Sequence, residues 1–165
     1  MVNGTESAGG LPPFGLTWGV KRSFIRYIFS VPDVEVSVGD GAGALGNGYF
    51  SFRPAGSTLN AGTGYGVLAF EGVAAIRGHF GMMSISLQDP RLELGPDGAV
   101  LTVVSGDGTR FALAVLHEGM FERSGADLLW SAGRVLLTAE GAPLFNGQYP
   151  EGQEMDPVLV RIGLP

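Results

Sequence analysis

The sequence predicts a mainly β domain: an antiparallel, two-layer, sandwich-like fold of about ten short strands with two short α-helices. Glycine fills 28 of 165 positions and proline 10, with no collagen-like period, a composition suited to turns between strands. Hydrophobic residues make up 45% of the chain and charged ones 16%, so there is apolar surface for a core. Beyond the first helical stretch, apolar positions alternate with period two, as in half-buried strands. The length suits one domain, expected over residues 16–163, with 1–15 a disordered or added N-terminal segment.

One stretch departs from that alternation. Over residues 16–29, Val20, Phe24, Tyr27 and Ile28 fall at i, i+4, i+7 and i+8, one face of a helix. Thr17 is placed to cap its start, and Pro32 lies beyond its end. Ser23 and Tyr27, one turn apart, share a side of that helix, while Lys21, Arg22 and Arg26 lie largely off the buried face. Strands are expected next at 34–38, 49–52, 66–70 and 82–87. Residues 91–94 and 99–104 flank Gly95-Pro-Asp-Gly98, a hairpin corner in which Asp97 or a glycine takes positive φ. Ser105-Gly-Asp-Gly-Thr109 then turns the chain into a third strand at 110–116. Another hairpin is expected from 127–130 and 134–137 across Ser131-Ala-Gly133. A short capped helix at 138–145 and a closing strand at 158–162 complete the set.

Charge and composition exclude several classes of partner. Ten basic against sixteen acidic residues give a formal charge of −6, which disfavours nucleic acid and other polyanions. No apolar run is long enough to cross a bilayer as a helix. Residues 1–10 lack the charged head and apolar stretch of a signal peptide, so none is expected in this chain. With no cysteine, disulfides, thiolate metal sites and cysteine nucleophiles are excluded.

Single residues carry little chemistry by themselves. Gly41-Ala-Gly43-Ala-Leu-Gly46 matches a dinucleotide fingerprint in letters, but another strand follows it instead of the helix that would meet a pyrophosphate. It reads as a loop. No hydrolase, phosphate-loop, zinc-protease or calcium-loop spacing occurs, and no carboxylates pair for acid–base work. His117 ends an apolar strand and reads as structural. His79 lies between glycines in Arg77-Gly-His-Phe-Gly81, which leaves its ring accessible. Taken alone, Tyr27 reads as a helix-face tyrosine and Tyr149 as a turn aromatic.

Together these residues form a pattern. Trp18-Gly-Val-Lys-Arg-Ser-Phe-Ile-Arg-Tyr27 resembles the opening motif of the HtaA-type haem-binding domain of actinobacterial, and notably corynebacterial, haem uptake proteins. Further blocks are similar to that family in the same order: Phe70-Glu-Gly72, Gly78-His-Phe-Gly81, Ser84 to Leu87, Asp89-Pro-Arg91, Leu137-Thr-Ala-Glu-Gly-Ala142, Phe145-Asn-Gly-Gln-Tyr149 and Met155-Asp-Pro157. The resemblance runs over roughly residues 16 to 160, nearly the whole chain. This chain departs from the family pattern in Phe24-Ile-Arg26, where Phe-Arg is commoner, and at Gln148, where a second aromatic often stands.

The resemblance implies a pocket for haem b, as ferric protoporphyrin IX, built from Tyr27, His79 and Tyr149. It makes Tyr27 the axial iron ligand and His79 the hydrogen-bond partner of its oxygen. It also sets Ser23 near a propionate. Arg22 or Arg26 would reach propionates, while Phe24, Ile28, Met82 and Met83 would cover the porphyrin faces or pack in the core. The implied role is non-enzymatic: capture of haem in the cell envelope or outside the cell, and its relay to another haem-uptake protein. Two alternatives stand beside it, a haem-dependent peroxidase-like enzyme and a ligand-free cell-surface β-domain.

Overall fold

In a computed structural model, the structure describes residues 11–163. Most of the segment expected at 1–15 lies outside them, and Gly15 already belongs to the first strand, β1 (Gly15–Trp18). The fold is mainly β and antiparallel, as expected. Among the described residues fourteen strands, rather than about ten, join in one continuous hydrogen-bonded sheet that curls around a single core. One α-helix among these residues, α1 (Arg22–Ile28), accompanies them. Among the described residues no helix is long and apolar enough to cross a membrane.

The helix expected at 16–29 opens as strand, and only Arg22–Ile28 is helical. All four residues of β1 are buried, and the strand pairs with β4 (Phe50–Ser57) on one edge and β14 (Val158–Gly163) on the other. A strand covered on both faces reads as a continuous apolar run, which periodicity alone does not separate from a helix. Val20, at φ 58°, breaks the chain direction before α1 starts. Thr17 therefore caps nothing: it is a strand residue, and the residue at the helix cap is Lys21, with no side-chain hydrogen bond.

After α1 come β2 (Glu35–Gly39) and β3 (Ala42–Ala44), the latter paired with β4 where the glycine-rich loop was expected. A long hairpin then dominates the sheet. Its outgoing arm is β5 (Gly66–Glu71) followed by β6 (Val73–Gly78), and β7 (Met83–Gly95) returns along both. The two strands expected at 82–87 and 91–94 are thus one, bulged near Asp89, which sits at φ 45°. Gly72 kinks the opposite arm at φ +135°, and a Cβ there would lie 2.3 Å from the Ala42 backbone nitrogen. Asp89 pins the kink, accepting the Gly72 N–H on Oδ1 at 3.0 Å and donating its own N–H to the Gly72 carbonyl at 2.9 Å. Residues 79–82 form the tip.

The Pro-Asp-Gly corner and the meander beyond it appear as predicted: β8 (Gly98–Val104) pairs with β7, and β9 (Arg110–His117) with β8. The hairpin expected from 127–137 does not form. β11 (Asp127–Ser131) pairs instead with β10 (Met120–Ser124) and β14, whereas β12 (Arg134–Leu137) pairs with β9 and β13 (Glu154–Met155). Gly133 donates its N–H to the His117 carbonyl at 2.9 Å, so Ser131-Ala-Gly133 crosses between sheet regions instead of turning back. The helix expected at 138–145 shrinks to a 3-10 turn, Ala142–Phe145, preceded by Thr138, whose Oγ1 accepts the Gly141 N–H at 2.8 Å.

The core gathers Trp18, Phe24, Ile28, Phe52, Leu113 and Phe145 from across the chain, all essentially solvent-free. It seats α1 against the sheet by one face and leaves the other outward. That outward face meets the hairpin tip.

Candidate functional site

Seven residues of helix make two turns, and their burial divides cleanly. Phe24, Ile25 and Ile28 are buried, whereas Arg22, Ser23, Arg26 and Tyr27 are exposed. Ser23 and Tyr27 stand one above the other on the outward face, as i, i+4 spacing requires. Tyr27 keeps 40% of its surface although it is a large aromatic residue.

The tip of the β5–β6/β7 hairpin brings His79 to that face. The Tyr27 Oη and His79 Nε2 atoms are 2.6 Å apart, a short hydrogen bond between groups 52 positions apart. Their rings are tilted by 37° with centroids 5.9 Å apart. Either partner can donate. A histidine protonated on Nε2 donates to the phenolic oxygen, and the other tautomer accepts the phenol proton.

The tip owes its shape to backbone rarely adopted by side-chain-bearing residues. His79 and Phe80 have φ of 52° and 56°, and Gly81 follows at 87°. Left-handed backbone costs a non-glycine residue about 1–2 kcal/mol. Packing does not repay it, since Phe80 is 94% exposed. Asp33 does: its Oδ1 accepts the His79 N–H at 3.1 Å, and its Oδ2 accepts the Phe80 N–H at 2.5 Å. The Phe80 amide, seconded by that of His79, holds the Asp33 carboxyl below its ordinary pKa, against a smaller opposing effect of desolvation. On the far side of the tip, Asn146 Nδ2 donates to the Met82 carbonyl at 3.0 Å.

Asn146 and Tyr149 belong to the segment after the 3-10 turn, so one loop both braces the tip and supplies the second tyrosine. Tyr149 packs edge-on against Phe24 and Phe145, with centroids 6.1 and 5.8 Å away. Phe24 and Phe145 themselves meet at 5.3 Å and 88°. The Tyr149 hydroxyl lies 3.4 Å from Ser23 Oγ, a long contact for two hydroxyls, and Lys21 Nζ stands 6.0 Å from the Tyr149 ring centroid. A hydroxyl–imidazole pair, Tyr27 with His79, and a hydroxyl pair, Ser23 with Tyr149, therefore flank one exposed helical stripe.

The other expected site residues divide. Met82 is 82% exposed beside Phe80, an uncovered apolar pair at the tip. Met83, Phe24 and Ile28 are core residues, and Phe24 reaches the site only as the floor beneath Tyr149. Arg22 lines a separate depression with Ile25, Tyr49 and Asp156. His117 stays at the end of β9, opposite Arg134. Lys21, Asp33 and Asn146 were not foreseen. A cavity of about 540 Å³ lies elsewhere, among Leu59, Leu68, Phe70, Phe121 and Ile162.

The chain matches the family model described as HtaA over residues 14–161. Among solved structures, it resembles the C-terminal domain of HtaA from Corynebacterium glutamicum with a TM-score of 0.78 at 23% identity, over 91% of this chain and 95% of that one. The N-terminal domain of the same protein gives a TM-score of 0.66 at 22% identity, covering 91% of this chain and 96% of that one. The heme-binding protein HtaB from the same organism gives 0.63 at 16%, covering 89% and 92%. A comparison with curated proteins gave no match. With the fold shared and the family pattern spanning residues 14–161, the chain belongs to the HtaA family.

Proposed function

We propose that this domain captures ferric haem on the outward face of α1, with Tyr27 as the axial ligand and His79 as the group that tunes it. The observation that carries the reading is the 2.6 Å contact between Tyr27 Oη and His79 Nε2 on a tyrosine that remains 40% exposed. A buried tyrosine with a satisfied hydroxyl would be structural. This one presents a hard oxygen donor to the outside, with an imidazole nitrogen beside it.

The donor set fits the group. Ferric haem supplies a hard Lewis-acidic iron and two flat apolar faces. Phenolate suits the ferric state better than the ferrous one. His79, donating from Nε2, stabilises the anionic oxygen and lowers its basicity, so it adjusts the strength of the iron bond. The uncovered side chains of Phe80 and Met82 provide apolar surface next to the donor. Ser23 and Tyr149 offer hydroxyls, and Lys21 a positive charge, for carboxylates at the edge.

The family likeness supports a role in haem uptake: binding haem in the cell envelope or outside the cell and passing it to another uptake protein. An exposed, single-tyrosine grip suits a cargo that must leave again. Peroxidase-like turnover is disfavoured by the placement of His117, which sits at a strand end and leaves His79, already engaged with Tyr27, as the one histidine at this face. Haemin titration of the purified protein tests the reading. A tyrosinate-type ferric spectrum that Tyr27→Ala abolishes supports it; unchanged binding by that variant refutes the ligand assignment.

A further inference from the structure

We propose that Asp33 is the positioning residue of the site: its carboxylate grips the His79 and Phe80 amides and thereby aims the His79 ring at Tyr27. The role assigned to His79 rests on the haem reading above, whereas the positioning itself is a property of the ligand-free chain.

The argument begins at the hairpin tip. Gly78 pairs with Met83, so four residues must reverse the chain between β6 and β7. Three of them in succession take left-handed φ, at His79, Phe80 and Gly81. Glycine does so freely; histidine and phenylalanine do not. Burial offers no compensation, because His79 and Phe80 are both exposed. Successive left-handed residues turn their N–H groups toward one side, a concavity that favours an anion. Asp33 fills it with both oxygens, Oδ1 on His79 and Oδ2 on Phe80.

Asp33 comes from the turn between α1 and β2, six positions after Tyr27. The same short segment therefore supplies both the hydroxyl that His79 engages and the carboxylate that holds the His79 backbone. The distance between Tyr27 and His79 is set from both ends. Asn146 steadies the opposite side of the tip through the Met82 carbonyl. It does not touch the His79 amide, so it leaves the histidine's own backbone to Asp33. No cation competes for the carboxylate: among the described residues Asp33 forms no ion pair, although Arg77 lines the same depression.

Two variants and one cycle test it. Asp33→Ala removes both acceptors; Asp33→Asn keeps one oxygen and puts an N–H₂ against the other amide. In the ligand-free protein, the backbone amide and ring NMR signals of His79 should move in both variants, more in Asp33→Ala. In the haemin-loaded protein, Asp33→Ala should shift the ferric spectrum and release haemin about ten-fold faster than the parent. The Asp33→Ala/His79→Ala double variant should release it no faster than His79→Ala alone, because Asp33 acts through His79. Unmoved ring signals, or effects of the two substitutions that multiply, would overturn the proposal. Should Asp33→Ala fail to fold, Asp33→Asn carries the same comparison. If the parent takes up no haemin, the haem reading fails, and the ligand-free ring signals still decide on Asp33.

Discussion

Tyr27 and His79 meet across 52 positions of sequence at a separation of 2.6 Å, one on a short helix and one on the tip of a long hairpin. Neither element holds the contact alone. The helix is seated by Phe24, Ile25 and Ile28 in the core, and the tip by Asp33 and Asn146. Both partners are exposed, so the pair contributes little to the core and is free to serve a ligand.

That exposure separates function from stability at His79. His79→Ala should change the melting midpoint only slightly, since a surface residue without core contacts typically contributes within about 0.5 kcal/mol. Haemin should still bind through Tyr27, but its dissociation should quicken by about ten-fold as the phenolate loses its donor. Stopped-flow transfer to an excess of a haem-scavenging globin measures this. An unchanged rate would remove His79 from the ligand's surroundings.

Thr17 offers a test of the fold rather than the site. Its Oγ1 is buried in β1 with no hydrogen-bond partner among the described residues. A buried hydroxyl without a partner costs about 1–3 kcal/mol, and valine has nearly the same shape. Thr17→Val should therefore raise stability by about 1 kcal/mol in urea unfolding, with an unchanged slope. A helix cap would respond in the opposite direction, losing about 1 kcal/mol.

The sign of the Asp33 shift fixes a pH window. Its folded pKa is lowered, foremost by the Phe80 amide, from an ordinary value of 3.8. The stabilisation it gives the tip is then fully present above 3.8 and is lost as pH falls through the lower folded value. The Phe80 amide proton, followed by NMR, should show an acid titration with a midpoint below 3.8. In Asp33→Asn that titration should vanish. A midpoint above 3.8 would contradict the geometry.

Much of this was legible in the sequence, for reasons that differ by element. The meander around Gly95-Pro-Asp-Gly98 was readable because turn chemistry and alternation agree locally. β6 escaped notice because Val73-Ala-Ala-Ile76 carries few of the side chains that mark strands. β1 passed for helix because burial on both faces erases alternation. Tyr27, His79, Ser23 and Tyr149 stand out through family motifs, and the structure brings all four to one helix face. Asp33 left no such trace. It acts on backbone amides, and those amides converge only once the tip has folded, so its partners are invisible in side-chain spacing.

The central claim is that Tyr27 is the iron ligand, and the electronic spectrum of the haemin-loaded protein tests it most directly. Tyr27→Phe removes one oxygen and leaves the ring, the helix and the His79 tip in place. The account predicts a ferric tyrosinate spectrum in the parent, and in the variant its disappearance with at least a ten-fold loss of haemin affinity. An identical spectrum and affinity in Tyr27→Phe would contradict it.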